Sequence, residues 1–123
     1  MIKRLLVFVP LLLGASEDFI THYEYGQMLY NNPRGVSCSQ CHGDKGEGCE
    51  IVSFKDVDGK KKVIKGVDIR QESLSSMINS VDVYHEIMPR YYLTDEEVKA
   101  IYDYLQKKNK DYLSKFKESS SSK

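Results

Sequence analysis

Five consecutive residues, Cys38-Ser39-Gln40-Cys41-His42, constrain this 123-residue chain more than any other feature of it. Two thiols three positions apart on a helical turn can add to the two vinyl groups on neighbouring edges of a porphyrin. The adjacent histidine is then held under the iron as an axial ligand, so C-x-x-C-H reads as c-type haem attachment. Three rival readings use the same residues. A thioredoxin-like pair expects a strand before the motif and a βαβ unit around it, and Asn31 to Val36 shows neither. A structural zinc site needs a second pair of ligands; Cys49 and one distant histidine are at hand, but adjacent Cys41 and His42 fit poorly on one tetrahedral ion. A Cys38–Cys41 disulfide would give His42 no role.

The start of the chain bears on this choice, because covalent haem attachment follows export. Lys3 and Arg4, the apolar run Leu5 to Leu13, and the small residues Gly14-Ala15-Ser16 have the three-part pattern of a secretory signal. Nine apolar residues interrupted by Pro10 cannot cross a hydrocarbon core that needs about 20. The expected organisation is a signal peptide at 1–16, one domain at 17–108 and a polar tail at 109–123. The mature product is expected in the periplasm, soluble or peripherally attached to a membrane, with no transmembrane segment after cleavage. The whole chain has 18 Lys plus Arg against 18 Asp plus Glu, which leaves no basic footprint for nucleic acid. Loss of Lys3 and Arg4 tips the balance slightly acidic. Three cysteines are too few for a disulfide scaffold, and their odd number leaves one thiol without an intrachain partner.

Apolar spacing outlines the elements. Phe19, Tyr23, Gly26 and Tyr30 share one helical face, and Asn31-Asn32-Pro33 ends that helix. A glycine within the face points to a close helix crossing. Between 50 and 66, two short apolar runs flank Asp58-Gly59, which predicts an exposed hairpin with a type I′ turn. Leu74, Met77, Ile78 and Val81 predict a helix from about Ser73, followed by a loop from Tyr84 to Arg90. Thr94 and Glu97 form a capping box that opens the last helix, with Val98, Ile101, Tyr102 and Leu105 as its buried face. Tyr112 and Phe116 extend that stripe, whereas Glu118 to Lys123, with four consecutive serines, are expected to be disordered.

A haem iron has a second axial face, and the candidates for it are Met28, Met77, Met88, His22 and His85. Met28 precedes the haem helix, and Met77 lies on an apolar helix face, where a core methionine is the ordinary reading. Met88 sits in a loop directly before Pro89, which stiffens the backbone and keeps the preceding residue extended, so its sulfur can point inward. His85 is the runner-up.

Taken in order, Gly26 and Tyr30, Cys38-Ser39-Gln40-Cys41-His42-Gly43, Gly46 and Gly48, Met88-Pro89, and Leu93-Thr94-Asp95-Glu96-Glu97 with Ile101, Tyr104 and Leu105 resemble a small class I cytochrome c. The resemblance covers most of Phe19 to Lys108. It implies a mostly α, cytochrome c-like fold wrapped around one covalent haem c, here with a short β-hairpin inserted at about 50–66. It also implies Cys38 and Cys41 as thioether donors, His42 and Met88 as axial ligands, and a crossing of first and last helices through Gly26, Tyr30, Ile101, Tyr104 and Leu105. Family members commonly place a proline after the motif, whose carbonyl orients the histidine. Gly43 to Met88 contains no proline, so the acceptor of the His42 Nδ1 hydrogen has no candidate in the sequence.

A single haem with two protein ligands has no open coordination position. The expected function is one-electron transfer by a carrier or small electron-transfer subunit, not an enzyme, with donor and acceptor redox proteins such as a respiratory complex, an oxidase or a peroxidase. The alternative is a haem-based small-ligand sensor or enzyme subunit in which the Met88 bond is weak or absent. Lys60-Lys61-Lys62 and the lysines after Leu105 form basic patches suited to an acidic redox partner, or are simply solvated faces. Cys49 reads as a spare thiol, with an intermolecular disulfide or a redox-sensitive role as the other readings.

Overall fold

The computed structural model describes residues 19–121. The expected signal segment 1–16 lies outside the described residues, as do Ser122 and Lys123. The elements run α1 (His22–Asn31), α2 (Cys38–His42), β1 (Glu50–Lys55), β2 (Lys61–Lys65), α3 (Leu74–Asp82), α4 (Asp95–Lys108) and α5 (Lys110–Ser121). The fold is mostly helical, with one antiparallel hairpin between the motif helix and α3.

Three helices begin where a side chain replaces a missing backbone partner. The Thr21 hydroxyl accepts from the Glu24 amide at 3.1 Å, Ser73 from Ser76 at 3.1 Å, and Thr94 from Glu97 at 3.2 Å. The Glu97 carboxylate returns to the Thr94 amide at 2.9 Å, completing the expected capping box. The Thr21 cap starts α1 at His22, so Phe19 precedes the helix and is 91 % exposed instead of sharing its buried face. Gly26, Leu29 and Tyr30 make that face.

α1 crosses α4 at Gly26. A Cβ there would lie 2.1 Å from the Ala100 carbonyl oxygen and 2.7 Å from Tyr104 Cβ, so only glycine lets the two backbones approach. Tyr30 and Tyr104 meet beside this contact with ring centroids 5.8 Å apart, and Tyr23 packs on Tyr104 at 5.0 Å. Because α1 lies over the Ala100–Tyr104 stripe, Tyr104 is fully buried, while Tyr102, expected in the core, is only half-buried. α3 packs its Met77 into the same core, with Leu74, Ile78 and Val81 half-buried around it.

The hairpin forms as expected but turns differently. Its register runs from Glu50 opposite Lys65 to Lys55 opposite Lys61, with an irregularity between Glu50 and Val52. The Asp56 carboxylate accepts from the Asp58 amide at 2.9 Å, and the Gly59 amide donates to the Asp56 carbonyl at 2.9 Å. Gly59 alone is left-handed, at φ 76, so the two successive left-handed residues of a type I′ turn are not formed. The base of the hairpin is tied to the motif. The Gly66 amide donates to the Cys49 carbonyl at 2.8 Å, the Cys49 amide to Cys41 at 3.2 Å, and the Gly48 amide to His42 at 2.6 Å.

α5 follows a break at Asn109, a buried residue whose Nδ2 donates to the Lys45 carbonyl at 2.7 Å and to Leu105 at 2.8 Å. The disorder expected from Glu118 onward is not what the structure shows through Ser121. The helix continues, and the Ser119 and Ser121 hydroxyls donate to the Phe116 and Glu118 carbonyls at 2.9 and 3.0 Å. Among the described residues no helix is long and apolar enough to cross a membrane.

Candidate functional site

The core is not closed. Between α2, α3, the loop before α4 and the chain leaving β2 lies a cavity of about 470 Å³, within the range of small-molecule and cofactor sites. Cys38, Cys41, His42 and Met88 all line it, although the hairpin and α3 separate the first three from the fourth along the chain. Apolar side chains from α3 and α4, among them Met77, Val81, Val98 and Ile101, form much of the remaining wall.

His42 has a fixed tautomer. Its Nδ1–H donates to the Val67 carbonyl at 2.8 Å, which leaves the Nε2 lone pair free to act as a donor. Val67 thus fills the role for which the sequence offered no proline. The backbone reaches His42 because Gly66 has no side chain: a Cβ there would lie 1.6 Å from the Cys41 carbonyl oxygen. Two tyrosines hold the chain on either side of the motif. The Tyr91 hydroxyl donates to the Val36 carbonyl at 2.6 Å, and the Tyr30 hydroxyl to the Gly43 carbonyl. Burial raises the pKa of both, Tyr91 up to about 12, so they remain donors at any physiological pH. Burial also pushes the Cys38 thiol up to about 11, with the Cys41 sulfur adding to the rise.

Of the candidates for the second axial face, two stand off the cavity and three line it. Met28 is half-exposed on α1, away from the cavity wall, and His22 pairs with Asp103 at 2.8 Å. His85 also lines the cavity, with its Nε2–H donated to the Ser80 carbonyl at 2.7 Å, which leaves Nδ1 as its one nitrogen with a lone pair. Met77 lines it from the floor as part of the core. Met88 is half-buried and lines the cavity beside Pro89. Cys49 is absent from its lining, and its thiol is shared between the Gln40 carbonyl at 3.2 Å and the Cys41 carbonyl at 3.4 Å, contacts with no signal in the sequence. Among the described residues no three His, Cys, Asp or Glu side chains gather into a metal-holding set.

Two thiols on one helical turn, a histidine with a free lone pair, a methionine lining the same apolar cavity and a backbone acceptor behind the histidine suit a c-type haem, so the residues fit that group. The model of the cytochrome c family matches residues 23–109, from α1 through the end of α4. The chain belongs to the cytochrome c family. It is a class I member, and the family's chemistry is electron transfer by covalently attached haem c. This cytochrome c carries its hairpin inside the matched region, between the motif and the Val67 carbonyl. No curated protein and no solved structure matches the chain.

Proposed function

We propose that this cytochrome c is a periplasmic one-electron carrier or small electron-transfer subunit, not an enzyme, with His42 and Met88 as axial ligands and Cys38 and Cys41 as thioether donors. The observation that carries this reading is the meeting of those four side chains on one apolar cavity while the Val67 carbonyl holds the His42 ring. When bound, haem c supplies a ferrous–ferric couple. His42 contributes a nitrogen whose basicity its bond to Val67 raises. Met88 would contribute a soft sulfur that favours the ferrous state, and the apolar wall would do the same by excluding water. Keeping the same two donors in both oxidation states would keep reorganisation small.

The test is replacement of Met88 in the haem-loaded protein. Met88→Ala should lower the reduction potential and admit carbon monoxide or cyanide readily, whereas an unchanged spectrum and potential would move the assignment to another donor. Avid carbon monoxide binding by the unaltered ferrous protein would favour the small-ligand sensor instead.

A further inference from the structure

The hairpin shares the rim of the cavity without closing it. Ile51 near its base and Lys65 at the end of β2 both line the cavity. Alternation along a strand puts Lys61, Val63 and Lys65 on one face of β2. The register sets Lys55 directly opposite Lys61 and Ser53 opposite Val63. One face therefore runs from the cavity rim to the hairpin tip as Lys65, Val63, and then two lysines side by side.

That arrangement works against folding, because like charges directly opposite across a ladder repel. Nothing nearby relieves it. The hairpin's Asp56 pairs with Lys62, on the other face, at 3.1 Å, and among the described residues neither Lys55, Lys61 nor Lys65 has an ion pair. Glu50 faces Lys65 across the ladder without pairing with it. Both strands are exposed for almost their whole length, and a two-stranded sheet leaves both outer edges open. The cavity lining also carries the acids Glu72, which accepts from the Ser76 hydroxyl at 2.7 Å, and Glu86, so the positive charge of the hairpin is confined to the hairpin's share of the lining. The lysines at the end of α4 are placed differently. Lys108 donates to the Tyr104 hydroxyl at 2.9 Å, Lys107 lies 5.1 Å over the Tyr23 ring, and neither reaches the cavity.

We propose that this hairpin face is the docking surface for an acidic electron-transfer protein, whose carboxylates sit on Lys55, Lys61 and Lys65 and whose apolar centre covers Val63 and Ile51. The lysines steer the partner during approach, since complementary potentials raise the rate of encounter. The docked partner then lies at the rim of the cavity. The inference rests on the electron-transfer reading and adds to it the place and chemistry of the exchange.

The test uses the haem-loaded, isotope-labelled protein and a deca-glutamate peptide at low salt, with backbone amide shifts as the readout. Shifts should centre on 51–65, and Lys55→Glu with Lys61→Glu should weaken binding about tenfold or more. Lys110→Glu with Lys115→Glu on α5 should leave it unchanged. Shifts centred on α5, or equal loss in both variants, would overturn the proposal. So would hairpin-dependent binding to phosphatidylglycerol vesicles without binding to the peptide, which would assign the face to a membrane surface. A second arm compares oxidation of the ferrous protein by anionic ferricyanide and by cationic tris(phenanthroline)cobalt(III). The hairpin variant should slow the first and speed the second, and an unchanged ratio counts against the proposal. Peptide binding requires no redox step, so failure of the electron-transfer reading and failure of the docking surface give different results.

Discussion

At the scale of single residues, the Val67 carbonyl shows why part of the site could be read in the sequence and part could not. Cys38, Cys41, His42 and Met88 announce themselves because their chemistry resides in the side chain. A carbonyl belongs to every residue, and the only hint of its position is Gly66, where any Cβ would lie 1.6 Å from the Cys41 carbonyl oxygen. Gly66→Ala should therefore prevent stable assembly or, where holoprotein forms, weaken the His42–Val67 bond. A less basic histidine stabilises ferric iron less, so voltammetry should find the potential raised, opposite in sign to Met88→Ala. Glu97 offers a second residue-scale prediction. The Arg34 guanidinium, at 2.7 and 2.8 Å, is the main cause holding its carboxyl at about 2, with the Thr94 amide assisting. A depressed carboxyl contributes stability above its ordinary value of 4.5 and loses it as pH falls from there toward about 2. Denaturation midpoints measured across that window should fall, and Glu97→Gln should flatten the fall.

At the scale of elements, the start of α4 was legible because Thr94 and Glu97 form a capping box, and that of α3 from the apolar stripe after Ser73, whereas the Thr21 cap was missed because Phe19 stands at helical spacing from Tyr23. Loss of the Thr94 cap in Thr94→Ala should cost about 1 kcal/mol, read as a lowered thermal midpoint. The helix crossing was legible at Gly26 because glycine within a helix face needs a reason. Gly26→Ala would drive a methyl into the Ala100 carbonyl, and the destabilisation should be about 2 kcal/mol or more in a chemical denaturation curve. Periodicity alone did not separate Tyr102 from Tyr104, since both lie near the α4 stripe and only the direction of α1 decides between them. The turn was misjudged for a local reason, capture of the Asp58 amide by Asp56, and the length of α5 because serine hydroxyls satisfied the carbonyls of the preceding turn.

At the scale of the whole molecule, the cavity and the core are largely one space. Tyr30, Met77, Val98 and Ile101 belong to the buried cluster and also line the cavity. A domain this small has little apolar surface to spare. The Cys38→Ser, Cys41→Ser chain prepared without haem should therefore lose its cooperative thermal transition, followed by circular dichroism, while the loaded protein keeps it. The hairpin has the opposite character, since its two ends meet through the Gly66–Cys49 bond and nothing lies within 4 Å of a Cβ at Gly59. A chain opened at that tip keeps its ends in place, as exposed turns tolerate new termini. Cut there, the chain would give two pieces, one holding Cys38, Cys41 and His42 and the other Met88, and their reunion on one haem would report that each had found the same cofactor.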